Sequence, residues 1–186
     1  QNKGDAQHPL KTIQAAAERV QPGDEVIVHT GIYREQVSPV RGGTEKQPII
    51  FRAAPGEKVE IKGSEVMKGW KHIDRHTWMI KIPNSFFGTF NPYADTIHGD
   101  WLERGKWSHT GEVYLNGKRL KEVPSLDSLV FTGHNQPFWF TKVEQDTTFI
   151  WANFIGHNPN QQNVEINVRQ TVFYPNKPFV NYIHVT

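Results

Sequence analysis

The 186 residues carry 21 Lys and Arg against 19 Asp and Glu, a formal charge of +2, with 37% hydrophobic and 12% aromatic residues. That composition excludes a disordered chain, which would be poor in aromatic and β-branched residues. It has no Lys/Arg run long enough to track a phosphate backbone, no Cys for disulfides, thiolate nucleophiles or Cys-based zinc sites, and no apolar run as long as a membrane span.

A neutral polymer such as a polysaccharide fits this balance at least as well as nucleic acid. The 15 Gly and 12 Pro imply many turns, and so β structure over a helix bundle. The chain opens at Gln1 without Met or a signal peptide. It stops at Thr186, directly after the strand-like run Val180, Tyr182, Ile183, Val185. Both ends are expected to be cuts.

Pro9 to Val20 is the one segment with a helical stripe: Leu10, Ile13, Ala16, Ala17 and Val20 recur at spacings of three and four. Pro9 marks its start and Pro22-Gly23 its end. Three β-branched strands follow, at Asp24–His29, Pro48–Ala53 and Val59–Ile61, with Ile32–Val37 alternating between the first two. Gly31, Arg41-Gly-Gly43, Pro55-Gly56 and Gly63 separate them. Short strands without intervening helices suit the first coils of a parallel solenoid, with the helix capping the exposed edge of the first coil. An ordinary α+β domain is the alternative.

From Ser64 to about Arg169 the aromatics concentrate. Strands are predicted at Thr77–Ile82, Glu112–Leu115, Phe138–Val143, Thr147–Ile155 and Asn163–Val168. Asn116-Gly117 is a type I′ hairpin signal. Antiparallel hairpins rich in aromatics indicate a sandwich. The expected organisation is residues 1–64 as cap helix and first coils, 65–170 as an inserted β-sandwich, and 171–186 as the return strand.

Specific strings then carry a resemblance. Pro9-Leu-Lys-Thr-Ile-Gln-Ala-Ala-Ala, Gln21-Pro-Gly-Asp-Glu-Val-Ile-Val and Gly31-Ile-Tyr-Arg-Glu35 resemble the opening of pectate-lyase-like right-handed parallel β-helix proteins. Six more strings occur in one order. They are Ile82-Pro-Asn-Ser-Phe-Phe-Gly88, Phe90-Asn-Pro-Tyr93, Gly99-Asp-Trp101, Val113-Tyr-Leu-Asn-Gly117, Ile150-Trp-Ala-Asn-Phe154 and Val164-Glu-Ile-Asn-Val-Arg169. Together they resemble the β-xylosidases of glycoside hydrolase family 120, in which a β-sandwich interrupts a parallel β-helix. The resemblance implies a retaining exo-β-xylosidase acting on xylo-oligosaccharides, with its two carboxyl groups on coils beyond Thr186. The expected compartment of such a secreted-type protein is periplasmic or extracellular. An open solenoid edge could pair with a second copy.

Retaining glycoside hydrolysis uses two carboxyls about 5 Å apart. Glu35, Glu60, Glu65, Asp95, Asp100, Glu103, Glu112 and Glu165 are available, and no pair among them carries a catalytic motif. No catalytic residue is therefore assigned within the chain. For sugar binding, Trp101 is the leading candidate, because it sits in a Gly-containing loop where a ring can pack against the C–H face of a sugar. Filling the interface between sandwich and helix is its alternative role. Asp100 can accept hydrogen bonds from sugar hydroxyls. Asn91, Tyr93 and His98 share the loop. Trp78 and Trp151 lie in strand patterns and are assigned to the core. The nine His residues are scattered, without His-Glu-x-x-His, and the carboxylates are dispersed, so neither zinc nor calcium is indicated. No cofactor motif is present. A polysaccharide lyase on the same scaffold and a non-catalytic carbohydrate-binding module remain as alternatives.

Overall fold

The computed structural model describes residues 3–100, 107–131 and 136–186. In chain order its elements begin with helix α1 (Ile13–Ala17) and strands β1 (Glu25–Val28), β2 (Gly31–Tyr33), β3 (Ile49–Ala53) and β4 (Val59–Ile61). Then come β5 (Ser64–Val66), β6 (Lys71–Asp74), β7 (Thr77–Pro83), a 3-10 turn at Asn84–Phe87, β8 (Val113–Leu115), β9 (Lys118–Arg119) and β10 (Lys121–Glu122). Helix α2 (Leu126–Phe131), β11 (Phe138–Glu144), β12 (Thr147–Asn153), β13 (Val164–Asn167) and β14 (Ile183–Val185) complete them. The protein is mainly β, with two short α-helices and no closed barrel among the described residues. It divides into two compact units, residues 1–63 with 171–186, and residues 64–170.

In the first unit every strand pairing is parallel. The sheet order is β1-β3-β14, with Val26 beside Phe51 and Ile49 beside Ile183, and β2 pairs with β4. Side chains of one register therefore line up across neighbouring strands on one face. Ile13, Ala17, Val20, Val28, Val37, Ile49 and Phe51 form the buried cluster. Phe173 joins it edge-on to Phe51, 5.2 Å between ring centres.

The helical stripe predicted over residues 9–20 does bury Ile13, Ala17 and Val20, but regular helix is confined to Ile13–Ala17. Side chains satisfy its ends. Thr12 is the N-cap and accepts from the Ala15 amide at 3.1 Å. Both Glu35 oxygens accept from the amides of Ile13 (3.0 Å) and Gln14 (2.8 Å). At the other end Arg41 donates to the carbonyls of Arg19 (3.2 Å) and Val20 (2.7 Å). A five-residue helix has far more orphan amides and carbonyls than internal bonds. The clamp from the 35–41 segment is what lets so short a helix persist.

The second unit is a pair of sheets. One has the order β10-β11-β12-β7-β6 and the other β5-β13-β8-β9. Apart from the short parallel β10–β11 pair, all pairings are antiparallel. Alternation decides which residues face inward. Ile80, Ile82, Trp139, Ile150 and Ala152 from the first sheet meet Val113, Val164 and Ile166 from the second in one buried cluster. On the outer face of the five-stranded sheet, Leu129 of α2 packs with Val123 and Phe138 in a smaller cluster. The β8–β9 turn has positive φ at both Asn116 (51°) and Gly117 (79°), the geometry its Asn-Gly pair predicts.

Candidate functional site

The segment joining the 3-10 turn to β8 carries every candidate sugar contact named from sequence. Its base is held by a side-chain network. Asn91 donates to the Thr148 hydroxyl (2.8 Å) and to Asn84 Oδ1 (3.3 Å), and its own Oδ1 accepts from the Tyr93 amide (3.0 Å). Thr148 in turn donates to Asn84 Oδ1 at 2.7 Å. The run Asn91-Pro92-Tyr93 thus forms an Asx-type turn, seated on the end of β12.

Tyr93 lies in the core, 1% exposed, between Phe87 and Trp139, with ring centres 5.6 Å away in each case. Its hydroxyl donates to the Glu112 carbonyl at 2.7 Å. Burial pushes the phenol well above its ordinary pKa. Gly111 makes this seat possible: a Cβ there would lie 2.7 Å from two Tyr93 ring carbons. Asn167, at the end of β13, accepts from the Glu112 amide and donates to the Thr110 carbonyl. The Thr110 hydroxyl donates to Asp95 Oδ2 at 3.0 Å.

Further out, Thr96 and His109 form an antiparallel bridge, and the Ile97 amide donates to the Ser108 carbonyl at 2.8 Å. His109 is fixed to β10: its amide donates to Glu122 Oε2 at 2.9 Å, and Nδ1 pairs with Oε1 at 2.5 Å. Past this closed neck Asp100 is exposed. Trp101 and Glu103 lie outside the described residues.

The three described candidates, Asn91, Tyr93 and Asp100, therefore have different surroundings. Asn91 and Tyr93 tie down the inner end of the segment, and Asp100 is at its outer part. Sequence reasoning did not single out His109, Thr110, Asn167 or Glu122, which hold the neck. The available signal was Asn167, a polar residue at the end of β13.

The described carboxylates named from sequence, Asp100 apart, are occupied. Glu35 caps α1, Glu60 pairs with Lys58 and Lys62, Glu65 with Arg169, and Asp95 accepts from Thr110. Glu165, 4% exposed, accepts from Ser64 (3.1 Å) and Asn163 (3.3 Å). Glu112 faces Arg119 at 3.4 Å; desolvation raises its pKa, and the nearby Glu122 charge adds to the rise. Among the described residues no group of three His, Asp or Glu side chains could hold a metal. Trp78 packs against the main core and Trp151 against the smaller cluster, parallel to Phe140 and Phe149.

Comparison with known proteins adds the following. The family model for the glycoside hydrolase 120 insertion domain matches residues 67–137 and 130–166. The chondroitinase B model matches residues 8–77. A solved structure described as the complex of XylC with xylose superposes with a TM-score of 0.93 at 39% identity, over 99% of this chain and 32% of that one. An uncharacterized protein of Bacillus subtilis (strain 168), YwoF, is 35% identical over 66 residues, 36% of this chain and 14% of its own length. The chain thus spans about a third of the xylose-bound structure it matches and less of the curated relative.

Proposed function

The chain belongs to the glycoside hydrolase 120 family, and from that premise we propose that it is the N-terminal part of a retaining exo-β-xylosidase acting on xylo-oligosaccharides. The likeness to XylC with xylose, at 39% identity over 99% of the chain, carries this reading. In it, the parallel strands of the first unit are the opening coils of a right-handed parallel β-helix, and the sandwich is an insertion between coils. The exposed edge of β14 is free to pair with a further strand of the same protein or of a second copy. The protein works outside the cytoplasm, where its polymer-derived substrate is found.

The chemistry asks for a carboxylate nucleophile and a carboxylic acid/base about 5 Å apart. Most of the named carboxylates are held in structural hydrogen bonds and ion pairs, which supports placing the catalytic pair beyond Thr186. This chain's part is to bind. Trp101 offers a ring to the C–H face of a sugar, Asp100 accepts from its hydroxyls, and Asn91 and Tyr93 anchor the segment that presents them.

Two measurements test this. The 186-residue chain incubated with an aryl β-xyloside is expected to give no turnover above background; turnover would place the catalytic pair within it. Titration with xylotriose is expected to show binding at the 90–111 segment that Trp101→Ala weakens; unchanged affinity at that segment would remove Trp101 from the site. The match of residues 8–77 to chondroitinase B favours a second reading, a polysaccharide lyase on the same scaffold. Chelator-sensitive release of unsaturated products absorbing in the ultraviolet would select it.

A further inference from the structure

A second place in the sandwich has the chemistry to take a sugar. Between β5, the end of β13 and the 3-10 turn lies an open pocket of about 400 Å³, lined by Glu65, Met67, Phe86, Val168 and Arg169 among others. That volume is at the small end of ligand sites, enough for one or two pyranose rings. All of its walls belong to the second unit.

Its polar and apolar walls are complementary. Arg169 Nη2 pairs with Glu65 Oε1 at 2.5 Å. Arg169 Nη1 is buried and has no hydrogen-bond acceptor among the described residues. Such an orphaned donor carries a desolvation cost, and the Arg169 side chain, 23% exposed, forms part of the pocket wall. Glu65 stands beside it with its side chain 29% exposed, so a donor and an acceptor sit next to each other. Vicinal hydroxyls need that combination: one oxygen accepts from the guanidinium while its neighbour donates to the carboxylate. The Phe86 ring is 46% exposed, although its neighbour Phe87 is buried. Phe87 is in the core with Tyr93, so Phe86 is supported from behind and turned outward. Met67 and Val168 complete the apolar side. Lys68 is already committed, donating to the carbonyls of Asn160 (3.0 Å) and Gln162 (2.6 Å).

We propose that this pocket is a pyranose-binding subsite, in which Phe86 packs against a sugar C–H face and the Arg169–Glu65 pair binds two adjacent hydroxyls. This rests on the carbohydrate reading above and extends it to a second location.

The test is an amide and arginine side-chain NMR titration of the 186-residue chain with xylotriose. Xylotriose is expected to shift Glu65, Met67, Phe86 and the Arg169 Nε–H. Phe86→Ala is expected to weaken binding at these signals by about five-fold, the scale of one aromatic contact, and to leave shifts in the 90–111 segment unchanged. Arg169→Lys keeps the positive charge beside Glu65 but removes the planar fork that presents donors to carboxylate and hydroxyl together, and is expected to weaken binding at the same signals if Phe86→Ala does not fold. Shifts confined to the 90–111 segment would overturn the subsite and leave the carbohydrate reading standing. No shift anywhere would overturn both.

Discussion

Replacing Tyr93 by Phe separates two roles that a tyrosine in a sugar-binding loop could have. The ring is 1% exposed and stays in place in the variant, so no cavity forms. Only the hydroxyl is lost, with its 2.7 Å bond to the Glu112 carbonyl and its 3.4 Å approach to Asn167 Oδ1. The Glu112 carbonyl keeps a second donor, the Asn167 amide at 3.3 Å. The cost is therefore at the lower end of the range for a buried hydrogen bond, about 1 kcal/mol. For a unit of this size that corresponds to a fall in Tm of about 4 °C. Calorimetry of Tyr93→Phe beside the parent chain measures it, and the xylotriose affinity of the folded protein is expected not to change. Parent-like stability combined with weakened sugar binding would refute the anchoring role and return the hydroxyl to the ligand.

Three further outcomes follow from the same packing. Gly111→Ala drives a Cβ to 2.7 Å from a ring wedged between Phe87 and Trp139, and is expected to destabilise the second unit by about 2 kcal/mol in denaturant unfolding. Glu35→Ala strands two part-buried amides of α1 and is expected to cost about 2 kcal/mol in the first unit, with loss of hydrogen-exchange protection at Ile13 and Gln14. Titration should act on the two units with opposite sign. Glu25, Glu57 and Glu60 are held below the usual carboxylate range, first by hydrogen bonds from Arg52, the Thr30 amide and Lys58 respectively. Their contribution is present above that range and is lost as pH falls through the lowered values. Glu112 is raised, first by desolvation, so its contribution is present below the ordinary value and is lost as pH rises through the raised one. Glu112→Gln should flatten the second unit's pH–stability curve in that window and leave the first unit's curve alone.

Where local pattern and burial coincide, the fold was legible. The alternation of β11 and β12, the β-branched runs of β1 and β3, and the Asn116-Gly117 turn all encode their geometry within a few residues. Elements made by distant partners were not. Strand β6 is exposed at all four positions and exists because β7 pairs with it. Helix α2 is a single Ser125-capped turn and a half, too short for a periodicity signal. The helical stripe to Val20 outruns the regular helix, and the Arg41 side chain takes the carbonyls past its end. At the candidate site the Pro-Tyr run reads as an exposed loop. Tyr93 is buried because Gly111, eighteen residues later, leaves room for its ring. Arg169 and Glu65 lie 104 positions apart, and only β5–β13 pairing brings them together.

The most direct test of the proposed function is to follow the full-length protein acting on a β-linked aryl xyloside by proton NMR, reading the anomer of the first sugar released. β-Xylose appearing before mutarotation is the predicted result. α-Xylose as the first product, or unsaturated products from a uronate polymer with no xylose released, would contradict the account.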